Sequence, residues 1–474
     1  MLTYYQGTNK VFPSQNQDIF YLNEYFRYQL DPDNVLITTN HGGWLILTNE
    51  EEKELKQNSF KNNPELPIKL GQAGIILNPG NMGNIINDLR LRNHFLFSQP
   101  SFHVISLTEQ CDLKCLYCHP AAGPGKPEMT KETVDKVLSF IFSDPPSSLN
   151  IQVTGGEPLL KWDLVKYIYS RVDKMAAEKN IHFRFPLSTN LTLMTENIAR
   201  DLSKMKVDVC TSLDGPKELH DKQRPYVSGR GSYNKVVYWM KRLSQDFGIK
   251  ASALPVITGL CLRFGPEAII DEYVKLDQPM ISLKPFRVSG RSRDNLGELT
   301  MTPEEFYDFW EKGVNYCLAL NKKGIRIRES NTIFFLKNIL SPFGSSSMCH
   351  RRPCGAGLTM LSYKSDGTIC GCDAARDVDF LDLGHVEKDT YQTIRSKVLP
   401  LVGICADTIP ICSNCPFKAY CNTCRVDTWS RENDLYPKIP RSFDCRFHKR
   451  VFKFLFKKFL NKEEAQILQS WANQ

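Results

Sequence analysis

A chain of 474 residues is long enough for two or three domains, at roughly one domain per 150 residues. Its hydrophobic fraction of 42% and charged fraction of 24% are ordinary for a soluble globular protein. The formal net charge of +8 is spread along the chain, which fits an acidic peptide or a nucleotide as partner and is too diffuse to indicate nucleic-acid binding.

The first ten residues, MLTYYQGTNK, lack a basic region followed by an apolar run, so no signal peptide is expected. No window approaches about 18 uninterrupted apolar residues, so we expect neither a transmembrane helix nor a membrane partner. Sixteen cysteines without a secretion signal indicate reduced, metal-binding thiols in a cytoplasmic protein. Three of them lie at 111–118 and ten lie between Cys349 and Cys445.

The N-terminal region contains no cysteine and predicts a hairpin followed by a helix. Residues 35–39 and 44–47 are typical strands, and an Asn- and Gly-containing turn joins them. Thr48 and Glu51 then form the pattern of a capping box, which predicts a helix over about 50–57.

From residue 103 to about residue 286, short apolar runs alternate with amphipathic segments. The predicted strands are 103–107, 149–154, 182–188, 207–213, 251–257 and 280–285. The predicted helices lie near 130–143, 161–178, 194–205, 232–246 and 266–275. Five strand-then-helix pairs and a sixth strand predict a partial (β/α) barrel with parallel strands, whose active site would lie at the carboxyl ends of those strands.

Directly after the first strand, three cysteines follow the spacing C-x3-C-x2-C, with Tyr117 before the last of them. They are Cys111, Cys115 and Cys118. Three thiolates can bind three irons of a [4Fe–4S] cube and leave the fourth iron open for a ligand. The alternatives are a zinc site, which usually has four ligands, and buried structural thiols, which rarely cluster so tightly.

Polar residues follow the next two strands. Gly155 and Gly156 allow the backbone to approach a ligand closely, and with Glu157 they can bind an ammonium group. The alternative is an ordinary turn between a strand and a helix. Ser188 and Asn190, at the end of the third strand, can bond ribose hydroxyls or a carboxylate.

These motifs, in this order, resemble the radical S-adenosylmethionine (radical SAM) superfamily. The resemblance implies that the open iron chelates SAM, and that one electron then cleaves SAM to a 5′-deoxyadenosyl radical that abstracts hydrogen. It also implies an α/β fold, with a partial (β/α)6 radical SAM barrel between a small N-terminal α+β module and a C-terminal cysteine-rich SPASM extension. The SAM-binding residues that it implies are Tyr117, Gly155, Gly156, Glu157, Ser188, Asn190, Ser212 and Arg224. The last two belong to a run Ser-Leu-Asp-Gly…His-Asp…Arg, and arginine suits a carboxylate because its planar group forms two bonds.

The C-terminal cysteines resemble the SPASM extension, which carries two auxiliary [4Fe–4S] clusters. A hairpin over 359–363 and 368–371 holds two of them, and either Cys370 or Cys372 can be the ligand, with the spacing from Gly367 favouring Cys372. The two implied ligand sets are Cys349, Cys354, Cys372 and Cys424, and Cys412, Cys415, Cys421 and Cys445. The gap before Cys424 is one residue shorter than in the family pattern. The alternative is a zinc knuckle of the cysteines at 412–424.

Asp373 directly follows Cys372. In sulfatase-maturing relatives an aspartate in this place is the base that takes a proton from the substrate radical. A shielded pocket near a cluster could raise the basicity of this carboxylate. The alternative is an exposed aspartate in a turn.

The resemblance divides the chain into four regions. Residues 1–98 form the N-terminal module, which resembles modules that bind the leader of a precursor peptide; the alternative is a plain capping domain. The barrel spans 99–325 and the auxiliary-cluster region spans 326–450. Residues 451–474 form a basic amphipathic helix that we expect to pack on the protein; the alternative is binding at a membrane surface.

The expected function is that of a peptide or protein maturase, an oxidoreductase most similar to the His-Xaa-Ser-system maturases. Its expected substrate is a ribosomally made precursor, modified by cross-linking, epimerisation or oxidation. Its expected electron donor is a flavodoxin or ferredoxin, and nucleic acid is not expected as a partner. The alternatives are a sulfatase-type formylglycine maturase and a non-enzymatic scaffold that binds zinc or SAM.

Overall fold

The computed structural model describes residues 21–60 and 63–473. The segment from which we expect no signal peptide lies outside these ranges. Within them, no helix is both long enough and apolar enough to cross a membrane.

The N-terminal region is a small α+β unit. Its elements are β1 (Tyr21–Leu22), β2 (Tyr25–Gln29), β3 (Asn34–Thr39), β4 (Trp44–Thr48), α1 (Asn49–Gln57), α2 (Leu66–Gln72), β5 (Ile76–Leu77) and α3 (Pro79–Asn93). Strands β2, β3 and β4 form an antiparallel sheet that contains the predicted hairpin. The predicted capping box opens α1: the Thr48 hydroxyl accepts from the Glu51 amide at 3.2 Å, and the Glu51 carboxylate accepts from the Thr48 amide at 2.9 Å.

The middle of the chain alternates strands and helices, as predicted. Its elements are β6 (Phe102–Ser106), α4 (Lys131–Ile141), β7 (Ser148–Thr154), α5 (Trp162–Lys179), β8 (His182–Arg184), β9 (Pro186–Ser188), α6 (Glu196–Met205), β10 (Asp208–Ser212), α7 (Lys217–Gln223), α8 (Tyr233–Phe247), β11 (Ser252–Leu254), α9 (Gly265–Lys275) and β12 (Met280–Ile281). Strands β6, β7, β9, β10 and β11 are neighbours and run parallel. Their carboxyl ends therefore meet at one edge of the sheet, which is where a barrel places its chemistry.

The C-terminal region extends this sheet. Its elements are α10 (Leu296–Leu299), α11 (Pro303–Lys322), β13 (Arg328–Glu329), α12 (Ser330–Leu340), β14 (Met360–Tyr363), β15 (Thr368–Cys370), β16 (Asp382–His385), α13 (Tyr391–Lys397), α14 (Leu399–Gly403), α15 (Arg425–Glu432), α16 (Phe443–Lys458) and α17 (Lys462–Asn473). The predicted hairpin β14–β15 is present, and β14 pairs in parallel with β6. The result is a mixed sheet of nine strands that runs from the barrel into the cysteine-rich region.

The predicted sixth barrel strand is mostly absent. Only Met280–Ile281 is a strand, and it pairs with β13 and not with β11. The backbone amide of Leu283 donates to the buried Glu329 carboxylate at 2.9 Å, and Pro285 has no amide hydrogen to contribute to a ladder. A single parallel bridge between Ile257 and Pro285 links this segment to the chain after β11.

The tail holds two helices in place of the single helix expected over 451–474. The first begins at Phe443, where the Ser442 hydroxyl accepts from the Cys445 amide. The second begins after Asn461, whose side chain accepts from the Glu464 amide at 3.1 Å. The aromatic face of the first helix is buried against the rest of the protein, as expected.

Candidate active site

A cavity of about 480 Å³ opens at the carboxyl ends of the parallel strands. All but one of the residues that sequence analysis assigned to the SAM cluster, SAM or the catalytic base line it. They are Cys111, Cys115, Tyr117, Cys118, Gly155, Gly156, Ser188, Asn190, Ser212, Arg224 and Asp373. The exception is Glu157. The order of the strands therefore brings residues that are up to 262 positions apart in the sequence to one site.

The three-cysteine loop is anchored to the end of α7. The Lys114 amide donates to the Pro225 carbonyl at 2.7 Å, and the Leu116 amide donates to the Gln223 carbonyl at 3.0 Å. Burial raises the pKa of the Cys115 thiol to about 12. Such a thiol is a poor nucleophile at neutral pH, and a bound metal is what displaces its proton. A metal or cluster bound by this loop would therefore have to displace that proton.

The two glycines after β7 are required by close backbone contacts. A Cβ atom on Gly155 would lie 2.4 Å from the Thr108 carbonyl oxygen, and one on Gly156 would lie 2.2 Å from the Gln110 carbonyl oxygen. The Gly156 amide donates to the Thr108 carbonyl at 2.6 Å. The glycines thus join the β7 turn to the start of the cysteine loop, while their backbone faces the cavity.

Glu157 is buried under the cavity floor and does not line it. Its carboxylate accepts from the Thr189 hydroxyl at 2.7 Å, the Asn190 amide at 2.7 Å and the Leu159 amide at 2.9 Å. Burial raises its pKa to about 7, although these three donors oppose the shift. In this arrangement Glu157 fixes the loop after β9, and its carboxylate does not face the cavity where an ammonium group would bind.

Asn190 connects β9 to the cysteine loop. Its side-chain amide donates to Asp112 at 3.0 Å and lies 3.7 Å from the sulfur of Cys111. Its side-chain oxygen accepts from the Thr192 amide at 2.9 Å. Both ends of the amide are thus engaged within the protein, so Asn190 orients Cys111 in addition to lining the cavity.

Asp214 is a central residue that sequence analysis did not assign. It is fully buried, and its carboxylate accepts from Arg224 at 2.9 Å, from the Tyr117 hydroxyl at 2.5 Å and from the Val256 amide at 3.0 Å. Arg224 lies 5.1 Å from the centre of the Tyr117 ring and 4.0 Å from the sulfur of Cys115. Asp214 therefore orients two of the predicted SAM-binding residues. The signal was present in the sequence, because Asp214 is the aspartate of the Ser-Leu-Asp-Gly run.

The C-terminal cysteines gather around two further cavities. Cys349, Cys354, Cys372 and Cys424 line one cavity of about 180 Å³. Cys412, Cys415, Cys421 and Cys445 line another of about 40 Å³. These are the two sets that the family order implied. The sulfur of Cys370 lies instead 3.2 Å from Asp382, outside both cavities.

Each quartet brings four cysteines to one cavity, and four thiolates can ligate either a zinc ion or a [4Fe–4S] cluster. In the part of the chain that the structure describes, no three His, Cys, Asp or Glu side chains meet around one ion position. A zinc site needs four sulfurs each about 2.3 Å from one point. Burial also raises the pKa of the Cys354 thiol to about 12, as expected for a thiol that metal binding must deprotonate.

Asp373 lies where the 480 Å³ cavity meets the first cysteine quartet. Its side chain is 47% exposed and pairs with Arg376 at 2.9 Å. Burial would raise its pKa, but Arg376 and then His119 outweigh burial and hold the pKa below its usual value. The expectation that the pocket raises the basicity of Asp373 is therefore wrong. The cause is the adjacent cation, which lies only three positions along the chain.

Comparison with known proteins agrees with this geometry. A model of the radical SAM superfamily matches residues 105–260. The cysteine-type anaerobic sulfatase-maturating enzyme of Clostridium perfringens is 24% identical over 368 residues, which cover 74% of this chain and 95% of that enzyme. An uncharacterized protein of Methanocaldococcus jannaschii is 28% identical over 277 residues, covering 56% of this chain and 88% of that protein.

Solved structures show the same fold. The structure of native anSMEcpe with bound AdoMet superposes with a TM-score of 0.66 at 21% identity and covers 77% of this chain and 100% of its own. Streptococcus suis SuiB bound to the precursor peptide SuiA gives a TM-score of 0.54 at 15% identity and covers 88% of this chain and 98% of its own.

The predicted fold class is thereby confirmed, and residues 105–260 match the radical SAM superfamily. The chain shares its fold with anSMEcpe and SuiB, and the radical SAM match favours an enzyme over the non-enzymatic scaffold. The radical SAM match implies SAM and a [4Fe–4S] cluster, and the three-cysteine loop at the 480 Å³ cavity fits both cofactors.

Proposed function

We propose that the chain is a maturase that modifies a ribosomally made peptide or protein at an unreactive C–H bond. The observation that carries the proposal is that two cysteine quartets line separate cavities beside the cavity of the three-cysteine loop. Three clusters in one chain exceed what SAM cleavage alone requires. Two fully ligated clusters suit electron transfer to or from a substrate radical. A flavodoxin or ferredoxin is the proposed electron donor.

In this proposal, the cavity residues bind and orient the cofactors. Cys111, Cys115 and Cys118 hold the cluster with the open iron, which together with SAM supplies the radical that abstracts hydrogen. Arg224, oriented by Asp214, presents its guanidinium to a carboxylate beside the cysteine loop. The Gly155 and Gly156 backbone offers polar groups to an amine. Ser188, Asn190 and Ser212 offer polar side chains to ribose hydroxyls.

Iron and acid-labile sulfide per chain, measured after anaerobic reconstitution together with SAM cleavage, test the proposal. About twelve irons, at roughly four per cluster, with cleavage support it. About four irons with cleavage would keep the radical SAM core and reject both auxiliary clusters.

A matched pair of variants on one hairpin tests the first ligand set. Cys372→Ser should lower the iron content by about four per chain, because Cys372 lines the quartet cavity. Cys370→Ser should leave it unchanged, because that sulfur faces Asp382. The reverse pattern would exchange the two cysteines in the proposed set.

The second candidate is a formylglycine maturase that acts on a sulfatase. It is favoured by the similarity to the Clostridium perfringens enzyme and by the position of Asp373 at the cavity wall. In that reaction Asp373 would be the base for the substrate radical. Conversion of a cysteine-containing sulfatase peptide to its aldehyde, detected as a mass change, would establish this candidate. SAM cleavage without any change in the peptide would reject it.

The N-terminal region is the proposed site for the leader of the precursor. SuiB, which shares the fold, has been solved bound to a precursor peptide. Strand β2 is an edge strand of its sheet, and an extended peptide can add to such an edge. Within this class we favour the His-Xaa-Ser-system maturases. Co-expression with a precursor that contains His-Xaa-Ser repeats should change the mass of that precursor, and an unchanged mass would reject this assignment.

A further inference from the structure

The wall between the 480 Å³ cavity of the three-cysteine loop and the first quartet cavity is made by four residues that line both. They are Lys284, Arg287, Asp373 and Ala374. Asp373 is engaged by Arg376. These four residues therefore separate a substrate in the first cavity from a cluster in the second.

Arg287 is the member of this wall that reaches a quartet cysteine. Its guanidinium donates to the sulfur of Cys424 at 3.6 Å. Its backbone is held by the Ser292 hydroxyl, which donates to the Arg287 carbonyl at 2.8 Å. Arginine remains protonated in proteins, so a fixed positive charge stands beside this sulfur. Arg287 forms no ion pair with a carboxylate in the described part of the chain; Asp427, which pairs with Arg431, is a carboxylate that attracts it at longer range.

Lys284 supplies a natural comparison within the same wall. It lines the same cavities as Arg287. In the described part of the chain, its side chain makes neither an ion pair nor a hydrogen bond to a cysteine. Lys284 thus offers a positive charge without the N–H···S contact. The two residues allow the effect of charge to be separated from the effect of the hydrogen bond.

We propose that Arg287 is a positioning residue for electron transfer, which raises the reduction potential of the cluster held by Cys349, Cys354, Cys372 and Cys424. The inference rests on the proposed ligand set. Reduction adds a negative charge to the cluster, and a hydrogen bond to a ligating sulfur together with a nearby cation stabilises that charge. A cluster with a higher potential is a better electron acceptor. The residue would thus help the first auxiliary cluster to accept an electron from the neighbouring cavity.

The test is a potentiometric titration of the reconstituted full-length protein, monitored by electron paramagnetic resonance. The signal of the first auxiliary cluster is identified as the one that Cys354→Ser removes. Its midpoint potential is then compared in wild type, Arg287→Met, Arg287→Lys and Lys284→Met. Methionine removes charge and donor while keeping the length of the side chain, and lysine keeps the charge alone.

We expect Arg287→Met to shift this midpoint to a more negative potential and to leave the other two signals unchanged. The midpoint potential of Arg287→Lys should fall between those of Arg287→Met and wild type. If Arg287→Met does not assemble the cluster, Arg287→Lys is compared with wild type in its place. Lys284→Met should shift the midpoint less than Arg287→Met. An unchanged midpoint potential in Arg287 variants that assemble the cluster would overturn this inference and leave the proposed ligand set standing. If Cys354→Ser removes no signal, the proposed ligand set fails and the inference fails with it.

Discussion

At the scale of single residues, the site depends on cysteines that are buried or partly buried and on a carboxylate that orients its neighbours. The three-cysteine loop and Arg224 are evident from sequence motifs. The network around Asp214 is evident only from the structure, because it joins Tyr117, Arg224 and the Val256 amide around one carboxylate. Two predictions belong to this scale.

Cys115→Ala should abolish formation of 5′-deoxyadenosine, because the cluster loses one of its three ligands. The measurement is chromatographic quantification of 5′-deoxyadenosine after anaerobic reduction with SAM. Cys317→Ala is the control, since Cys317 is buried in α11 and lines none of the three cysteine-lined cavities. Product formation at the wild-type rate by Cys115→Ala would contradict the assignment of this loop.

Asp214→Asn should destabilise the protein by about 3–5 kcal/mol, because it leaves the guanidinium of Arg224 buried without its partner. It should also weaken SAM binding, since Arg224 and Tyr117 lose their common acceptor. Denaturant unfolding and SAM titration measure the two effects. Asp208→Asn, at the other end of β10, is the control, because its exposed pair with Arg184 contributes about 0–1 kcal/mol. Equal effects from the two substitutions would contradict the network.

At the scale of elements, the parallel pairing of β14 with β6 joins the barrel to the cysteine-rich region. His103 on β6 is fully buried where β6 pairs with β14. One ring nitrogen lies 2.9 Å from the Tyr363 hydroxyl on β14 and the other lies 3.1 Å from the Pro100 carbonyl. Burial lowers the pKa of His103 to about 4, so the ring stays neutral in the folded protein at neutral pH.

The buried His103 should make the free energy of unfolding depend on pH. The unfolded protein binds a proton at His103 below about pH 6.5, and the folded protein does so only below about pH 4. His103 therefore does not change the free energy of unfolding above pH 6.5. As the pH drops from 6.5 to 4, His103 lowers that free energy by about 3 kcal/mol. Denaturant unfolding across this window measures the slope. His103→Gln should flatten it, and an unchanged slope in that variant would assign the dependence to other groups.

At the scale of the whole molecule, part of the N-terminal unit, including Leu36 and Trp44, shares a hydrophobic core with the barrel and the tail, and a second core lies within the unit itself. Trp44 on β4 stacks on Phe459 at 5.3 Å and packs edge-on against Phe456 at 5.2 Å. Its indole N–H donates to the Ile339 carbonyl at 3.2 Å. The first and last parts of the chain therefore stabilise each other.

Trp44→Ala should lower the free energy of unfolding by about 3–5 kcal/mol, because it removes a buried aromatic side chain from this shared core. The loss should appear in one cooperative transition and not in a separate unfolding of the N-terminal unit. Calorimetry measures both. Phe97→Ala, which removes a ring that is 87% exposed, should have little effect. Two separate transitions in wild type would contradict a shared core.

The sequence by itself determined the class of chemistry and most of the barrel. Cysteine spacing, the Gly-Gly-Glu-Pro turn and the alternation of strands and helices depend on neighbouring residues, so they can be interpreted without tertiary contacts. The capping box at Thr48 is predictable for the same reason.

Only the tertiary structure decided which distant residues meet. It pairs β14 with β6, turns the sixth predicted strand toward β13 and Glu329, and places Asp214 and Arg287 beside the cysteines. It also lowers the pKa of Asp373, where a shielded pocket predicted the opposite. These outcomes depend on burial and on contacts between residues far apart in the chain, which local patterns do not encode.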